Sequence, residues 1–172
     1  RECVTINRGT ADKMTTQIGN NCLVMAYTHF GHDTIMGDNC VVANSVNIAG
    51  HVHIGDWAII EGMVGVQQFT RIGKHAFVAG GSMVRKSVPP FVKAAREPIS
   101  YVGVNAIGLR RRGYTNEQIT NIEDVYRIVY VQNKNMTQAL KIADLELPNS
   151  KEKEDILNFI NAETKGIMRG FN

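Results

Sequence analysis

The chain has 172 residues, 44% of them hydrophobic and 20% charged, and a net charge of +3. That suffices to bury the core of one domain and excludes a disordered chain, while so mild a charge points neither to nor away from an acidic partner. No apolar run approaches the roughly 20 residues needed to cross a bilayer, and no signal peptide is read, so a cytoplasmic protein without membrane insertion is expected.

Residues 1–17 fit no repeat well. The chain starts at Arg1 rather than Met and is expected to begin inside a longer protein. Asp12 stands where an aliphatic residue is due, so Thr10 to Gln17 is expected to project as a loop. From Ile18 the chain divides into twelve unbroken hexads: IGNNCL, VMAYTH, FGHDTI, MGDNCV, VANSVN, IAGHVH, IGDWAI, IEGMVG, VQQFTR, IGKHAF, VAGGSM and VRKSVP. Each begins with Ile, Val, Phe or Met, and each has a small residue fifth. Period six fits neither an amphipathic helix nor one alternating strand. It predicts a parallel β-helix with three hexads per coil and coils at 18–35, 36–53, 54–71 and 72–89. Cys3, Cys22 and Cys40 lack zinc or disulfide spacing, and Cys22 and Cys40 read as stacked core residues three hexads apart.

Pro89-Pro90 closes the hexads, giving a β-helix over residues 1–90 and an α-helical domain over 91–172. Thr115-Asn116-Glu117-Gln118 is a capping box, with Ile119, Ile122, Val125, Tyr126 and Val129 on one helical face. A second helix is predicted over Thr137 to Leu145. A third is predicted after Ser150, carrying Ile156, Leu157, Phe159 and Ile160, with Gly166 as its C-cap.

A coil of three hexads converts sequence distance into stacking. His32, Gly50 and Gln68 form one column, Asp33 and His51 the next, and His29, Asn47 and Gly65 another. One corner of two coils thus collects His32, Asp33, Gly50 and His51. An imidazole is a general base near neutral pH, a carboxylate orients it, and a glycine N–H can meet an oxyanion: together, the parts of acyl transfer. The plainer reading is turn decoration, since His, Asp, Asn and Gly are ordinary turn residues. His53 and His75 are read in that plainer way, as solvent-facing turn residues.

The hexads resemble the left-handed β-helix acyltransferases, and the left hand comes from that resemblance, because ordinary parallel crossovers are right-handed. RECVTINRGT, HFGHDT, NIAGHVHIGDWAIIEGMVGVQQF, SVPPFVKA and GVNAIGLRRRGYT together resemble the UDP-N-acetylglucosamine O-acyltransferase family of lipid A biosynthesis. The resemblance implies transfer of an R-3-hydroxyacyl chain from acyl carrier protein to the 3-hydroxyl of UDP-N-acetylglucosamine, by direct attack, with no cofactor and no metal. It makes His32 the general base, Asp33 its orienting acid and Gly50 the oxyanion donor. His29, His51 and Gln68 would line the sugar and acyl sites, and Gly80 would leave room for a long chain. Asn105, Arg111 and Arg112 would bind the nucleotide across a cleft of a homotrimer, the arginines giving its diphosphate forked, permanent charge; the plainer reading of these residues is a solvated basic run before a helix. Gln67 replaces a frequent histidine, and Ile107 an acidic residue near the ribose. Members of that family carry further coils upstream of the segment that starts at Arg1, with part of the sugar and phosphate site, so the sequence from Arg1 onward is expected to hold only part of that site. Arg71, Lys74, Arg85 and Lys86 are candidates for a landing patch for the acidic carrier, or simply a solubilising surface.

Other readings follow from the same residues. One is the related N-acyltransferase acting on a UDP-glucosamine amine, which the GLRRRG run disfavours, as it does an acetyl-CoA-dependent transferase. Another is a γ-type carbonic anhydrase, with zinc held among His29, His32, His51 and His53. A structural trimerisation module is the non-enzyme reading. Nucleic acid is not an expected partner.

Overall fold

The computed structural model of the chain describes residues 1–132 and 135–170. Its N-terminal part is the expected left-handed parallel β-helix, a triangular prism with a two-residue strand on each side of every coil. The first face stacks Thr5–Ile6, His29–Phe30, Asn47–Ile48, Gly65–Val66 and Met83–Val84. The second stacks Gln17–Ile18, Ile35–Met36, His53–Ile54 and Arg71–Ile72. The third stacks Leu23–Val24, Val41–Val42, Ile59–Ile60 and Phe77–Val78.

The hexad chemistry explains the prism. The first residue of each hexad points inward, and Phe30, Met36, Val42, Ile48, Ile54, Ile60, Val66, Ile72, Val78 and Val84 are all buried. The small fifth residues lie at the corners beneath the turns, where polar ones need partners. They find them regularly: Cys22, Thr28, Thr34 and Cys40 each donate to the carbonyl fifteen residues on, in Gly37, Ala43, Ala49 and Gly55, at 3.1–3.2 Å. Cys22 and Cys40 are therefore stacked free thiols of the wall. Burial pushes the Cys40 thiol up to about 12, which keeps it an inert S–H.

The fourth hexad position has a conformational demand that the spacing does not display. Asn21, Tyr27, Asp33, Asn39, Ser45, His51, Trp57, Met63, Phe69 and His75 all have φ between 55° and 65°, and Gly81 follows at 70°. Such left-handed backbone turns each corner sharply, and Asn and Asp adopt it more readily than Trp, Met or Phe. The stacked hydrogen bonds hold the bulky residues there, as in His51 N–H to His32 O at 2.9 Å.

The register is three hexads throughout the middle coils, with Gln17 on Ile35 and Ile35 on His53, but not at the ends. Thr5 pairs with His29, four hexads on, so the first coil holds one extra hexad's length of chain in the expected loop. Phe77 pairs with Lys93, two positions short of three hexads, so the last coil is contracted. The sheet does not stop at Pro89-Pro90. Val92–Ala95 continues the third face in parallel, and Ser100–Val104 folds back antiparallel beside it.

The helices then cover the open end of the prism. α1 (Ala106–Arg111), which contains most of the basic run, is capped by Asn105. α2 (Asn116–Arg127) starts with the predicted capping box, Thr115 with Gln118, and buries Ile119, Ile122, Val125 and Tyr126. One π turn, Ile128–Gln132, follows it. α3 (Met136–Glu146) and α4 (Lys151–Asn161) lie close to the predicted spans. Gly166 is not the C-cap of α4, which ends at Ala162. The chain beyond instead returns to the prism, where Ile167 bridges Ser87 and Arg169 bridges Ser100.

The fully buried Tyr126 joins α2 to the prism by donating its hydroxyl to Pro90 O at 2.6 Å. Tyr126→Phe leaves that buried carbonyl unpaired. Urea denaturation is expected to show a loss of about 1–3 kcal/mol.

Candidate functional site

The corner between the first and second faces brings together His32, Asp33, Gly50 and His51, as the column arithmetic predicts. Asp33 is buried at the left-handed position of its turn. Its Oδ2 accepts from His32 Nδ1 at 2.8 Å, and His51 Nε2 stands 3.6 Å from the same oxygen. The two imidazoles meet edge to face at 4.9 Å between centroids, and His51 stacks on Phe69 at 4.8 Å.

The loop at Thr10 to Gln17 does more than project. Thr10 donates its N–H to Asp33 Oδ1 at 2.8 Å and its hydroxyl to Oδ2 at 2.6 Å. Thr16 Oγ1 accepts from Asp33 N–H at 2.9 Å, and Asp12 Oδ2 lies 3.6 Å from His51 Nδ1. Burial alone would raise the Asp33 pKa. The bonds from the Thr10 hydroxyl, His32 and the Thr10 N–H, with the charge of His51, outweigh it and hold the carboxyl at about 2. Asp33 is thus ionised in any physiological buffer. An ionised carboxylate only accepts, so uncharged His32 carries its proton on Nδ1 and leaves an open lone pair on Nε2.

Gly50 is required by contact rather than by its φ. A Cβ there would stand 2.7 Å from His32 Cε1 and Nε2, so the ring rests on the glycine backbone. Among the described residues no acceptor meets the Gly50 N–H. An imidazole with an open lone pair and a backbone donor without an acceptor are thus close neighbours, the two parts that proton abstraction beside a developing oxyanion needs.

The other expected site residues are spread around the prism. His29 lies on the first face, 2.8 Å from Thr5 Oγ1. It borders a groove of about 500 Å³ that runs over Asn47, Ala49, Gly65 and Gln67 to Met83 and Arg85. Gln68 is exposed beside Phe69, one coil above Gly50. Gly80 sits at the corner between the third and first faces, where its N–H donates to Glu61 at 3.0 Å. Asn105, Arg111 and Arg112 are not at the His32 corner. They lie by the corner between the second and third faces. Asn105 is buried, donating to His75 O at 3.0 Å and capping α1. Arg111 and Ile107 are exposed.

One expectation needs correction. His75 is not a solvent-facing turn residue. It is 8% exposed and in contact with Arg112, Tyr114, Trp57 and Phe91. Each of the four candidate cations has a partner within the chain, and Arg85 and Lys86 border one cleft. Arg71 covers the Phe159 ring, Lys74 pairs with Asp155, Arg85 pairs with Glu97, and Lys86 donates to Lys165 O. As to a metal, His32, Asp33 and His51 alone among the described residues could present ligand atoms together, all within 4.8 Å. His29 and His53 lie on different faces. Sequence reasoning missed Thr10, Thr16 and Asp12, whose only signal is the break in the hexads.

Residues 88–168 match the family profile described as Udp N-acetylglucosamine O-acyltransferase, domain 2, and residues 15–50 match the bacterial transferase hexapeptide profile. The acyl-[acyl-carrier-protein]--UDP-N-acetylglucosamine O-acyltransferase of Chlorobaculum tepidum is 54% identical over all of this chain and 66% of its own length. That of Fusobacterium nucleatum is 51% identical over 95% of this chain and 64% of its own. The crystal structure of a UDP-N-acetylglucosamine acyltransferase from Bacteroides fragilis superposes with a TM-score of 0.95 at 47% identity, covering 96% of this chain and 65% of that one. The chain thus spans about two thirds of the length of these relatives.

The Asp33 pKa lies below its ordinary 3.8, so its ionisation favours the folded state fully above about pH 4. That contribution falls away as pH drops toward 2. Carbon-detected NMR of the Asp33 side chain should show it ionised at pH 3, and Thr10→Val should move its titration upward.

Proposed function

The chain belongs to the UDP-N-acetylglucosamine O-acyltransferase family, and on that premise we propose that it carries the acyl-transfer centre of such an enzyme. The reaction moves an R-3-hydroxyacyl chain from acyl carrier protein to the 3-hydroxyl of UDP-N-acetylglucosamine. The observation that carries the reading is the seat of His32 on Gly50, with Asp33 behind it.

His32 Nε2 takes the proton of the 3-hydroxyl as that oxygen attacks the thioester carbon. Charge on the carbonyl oxygen meets the Gly50 N–H. The tetrahedral adduct collapses, the C–S bond breaks, and the thiolate recovers the proton from the imidazolium. Asp33 keeps the ring in the productive tautomer and stabilises its charged form. No acyl-enzyme is formed. The acyl chain lies in the groove on the first face, running from the His32 corner toward Gly80. His29, His51 and Gln68 line the sugar and thioester. The carrier approaches the cleft beside Phe69 where Arg85, Lys86 and Lys165 meet.

The geometry also supports a homotrimer. Leu23, Val41, Ile59 and Phe77 project from the third face as an apolar stripe, and Leu23 is 44% exposed. Packing the first face of one copy on the third face of the next is a closing, head-to-tail contact. It sets the His32 corner of one copy beside the Arg112 corner of its neighbour. It also sandwiches the acyl groove and directs its Gly80 end toward the three-fold axis. Residues 1–90 then supply the reacting corner, and residues 91–172 present Arg112 to the neighbouring copy's nucleotide.

The full-length protein that contains this chain is expected to transfer a long 3-hydroxyacyl group from carrier protein to UDP-N-acetylglucosamine. His32→Ala is expected to lose at least about 10²-fold in kcat. Gly50→Ala, which displaces the imidazole, should lose a similar factor with little change in folding. Transfer by wild type and His32→Ala at equal rates removes His32 as the base.

A further inference from the structure

The corner between the second and third faces holds a cluster that the transfer chemistry does not use. His75 lies between two rings, with centroids 6.3 Å from Trp57 and 5.5 Å from Phe91, tilted by only 3° and 15°. Its Nδ1 is 3.2 Å from Arg112 Nη1, and its Nε2 is 3.2 Å from the Tyr114 hydroxyl. A guanidinium only donates, so Nδ1 accepts, and the single ring proton sits on Nε2, directed at the Tyr114 oxygen. Burial, then the charges of Arg112 and Lys74, lowers the His75 pKa to about 4, so the ring stays a neutral acceptor.

Arg112 itself is half-buried, with its guanidinium carbon 5.2 Å over the Trp57 ring. No carboxylate among the described residues forms an ion pair with it. A cation drawn out of water, with only a neutral acceptor and an aromatic platform, keeps its full charge for an anion. The Asn105 bond to His75 O ties the start of α1 to the same corner, so helix and imidazole are fixed together.

We infer that His75 is a positioning residue: through Nδ1, and backed by Tyr114 and Trp57, it fixes the Arg112 guanidinium as a preformed receptor for the diphosphate of the nucleotide-sugar acceptor. The identity of that anion rests on the proposed function. The receptor geometry rests on the contacts around His75.

Two substitutions separate packing from positioning. His75→Phe keeps a ring between Trp57 and Phe91 but removes the acceptor. His75→Asn loses the ring, suits the left-handed backbone at φ 57°, and offers Oδ1 near the place of Nδ1. Binding of UDP and of inorganic diphosphate is measured by calorimetry on the purified protein, with thermal stability recorded alongside. His75→Phe should weaken both ligands roughly tenfold, the scale of one oriented contact to a charged group. His75→Asn should restore affinity to within about threefold even where it is the less stable variant. Arg112→Ala should lose at least as much as His75→Phe. Imidazole ¹⁵N shifts of the wild type should show His75 protonated on Nε2 alone.

If Arg112→Ala binds UDP like wild type, the nucleotide reading of this corner fails, and the inference with it. If Arg112→Ala is weak but His75→Phe is not, the nucleotide reading stands and the inference is overturned. Equal losses in the Phe and Asn variants, tracking stability, also overturn it.

Discussion

The return of the chain every three hexads is the constraint on which the rest of this molecule depends. Each two-residue strand is far too short to be stable alone. It persists because parallel neighbours above and below share its register, as in Gln17 on Ile35, Ile35 on His53 and His53 on Arg71. Stability is therefore built coil on coil, and each hexad anchor contributes by filling the prism beneath the next. The same return places Gly50 under the His32 ring, across a contact that leaves no room for a Cβ.

The corners show how that stacking disciplines the backbone. Trp57, Met63 and Phe69 occupy left-handed φ values of 61°, 59° and 65°, which such residues avoid in isolation. They hold it because the corner N–H bonds to the coil below, as Trp57 does to Asp38 O at 2.9 Å. Residues of the two candidate sites sit at the same left-handed position. Asp33, His51 and His75 all stand fourth in their hexads. The left-handed turn at Asp33 leaves its carboxylate buried against Thr10, and the one at His75 leaves its ring between Trp57 and Phe91. Reacting geometry and fold are thus secured by one set of backbone bonds.

Departures from the three-hexad return shape both candidate sites. The extra length of the first coil becomes the loop whose Thr10 and Thr16 hold Asp33. The contraction of the last coil precedes the turn into Val92–Ala95, from which the chain reaches α1 and Arg112. Two histidines from one repeat consequently meet opposite environments. His32 keeps an open lone pair at a surface cleft. His75 is sealed among aromatics, beside a cation, and kept neutral.

The hexads determine the prism, its inward anchors, and the meeting of His32, Asp33, Gly50 and His51, because fixed spacing in a stacked coil is fixed position in space. The capping box at Thr115 and Gln118 likewise places α2, because its bonds are local. Residue spacing gives no access to contacts between segments that the repeat does not relate. Thr10 on Asp33, Arg112 and Tyr114 on His75, and the return of Ile167 to Ser87 join segments distant in the chain with no common period. Those contacts depend on how an irregular loop and the helical end pack on the prism. Only the folded chain decides them.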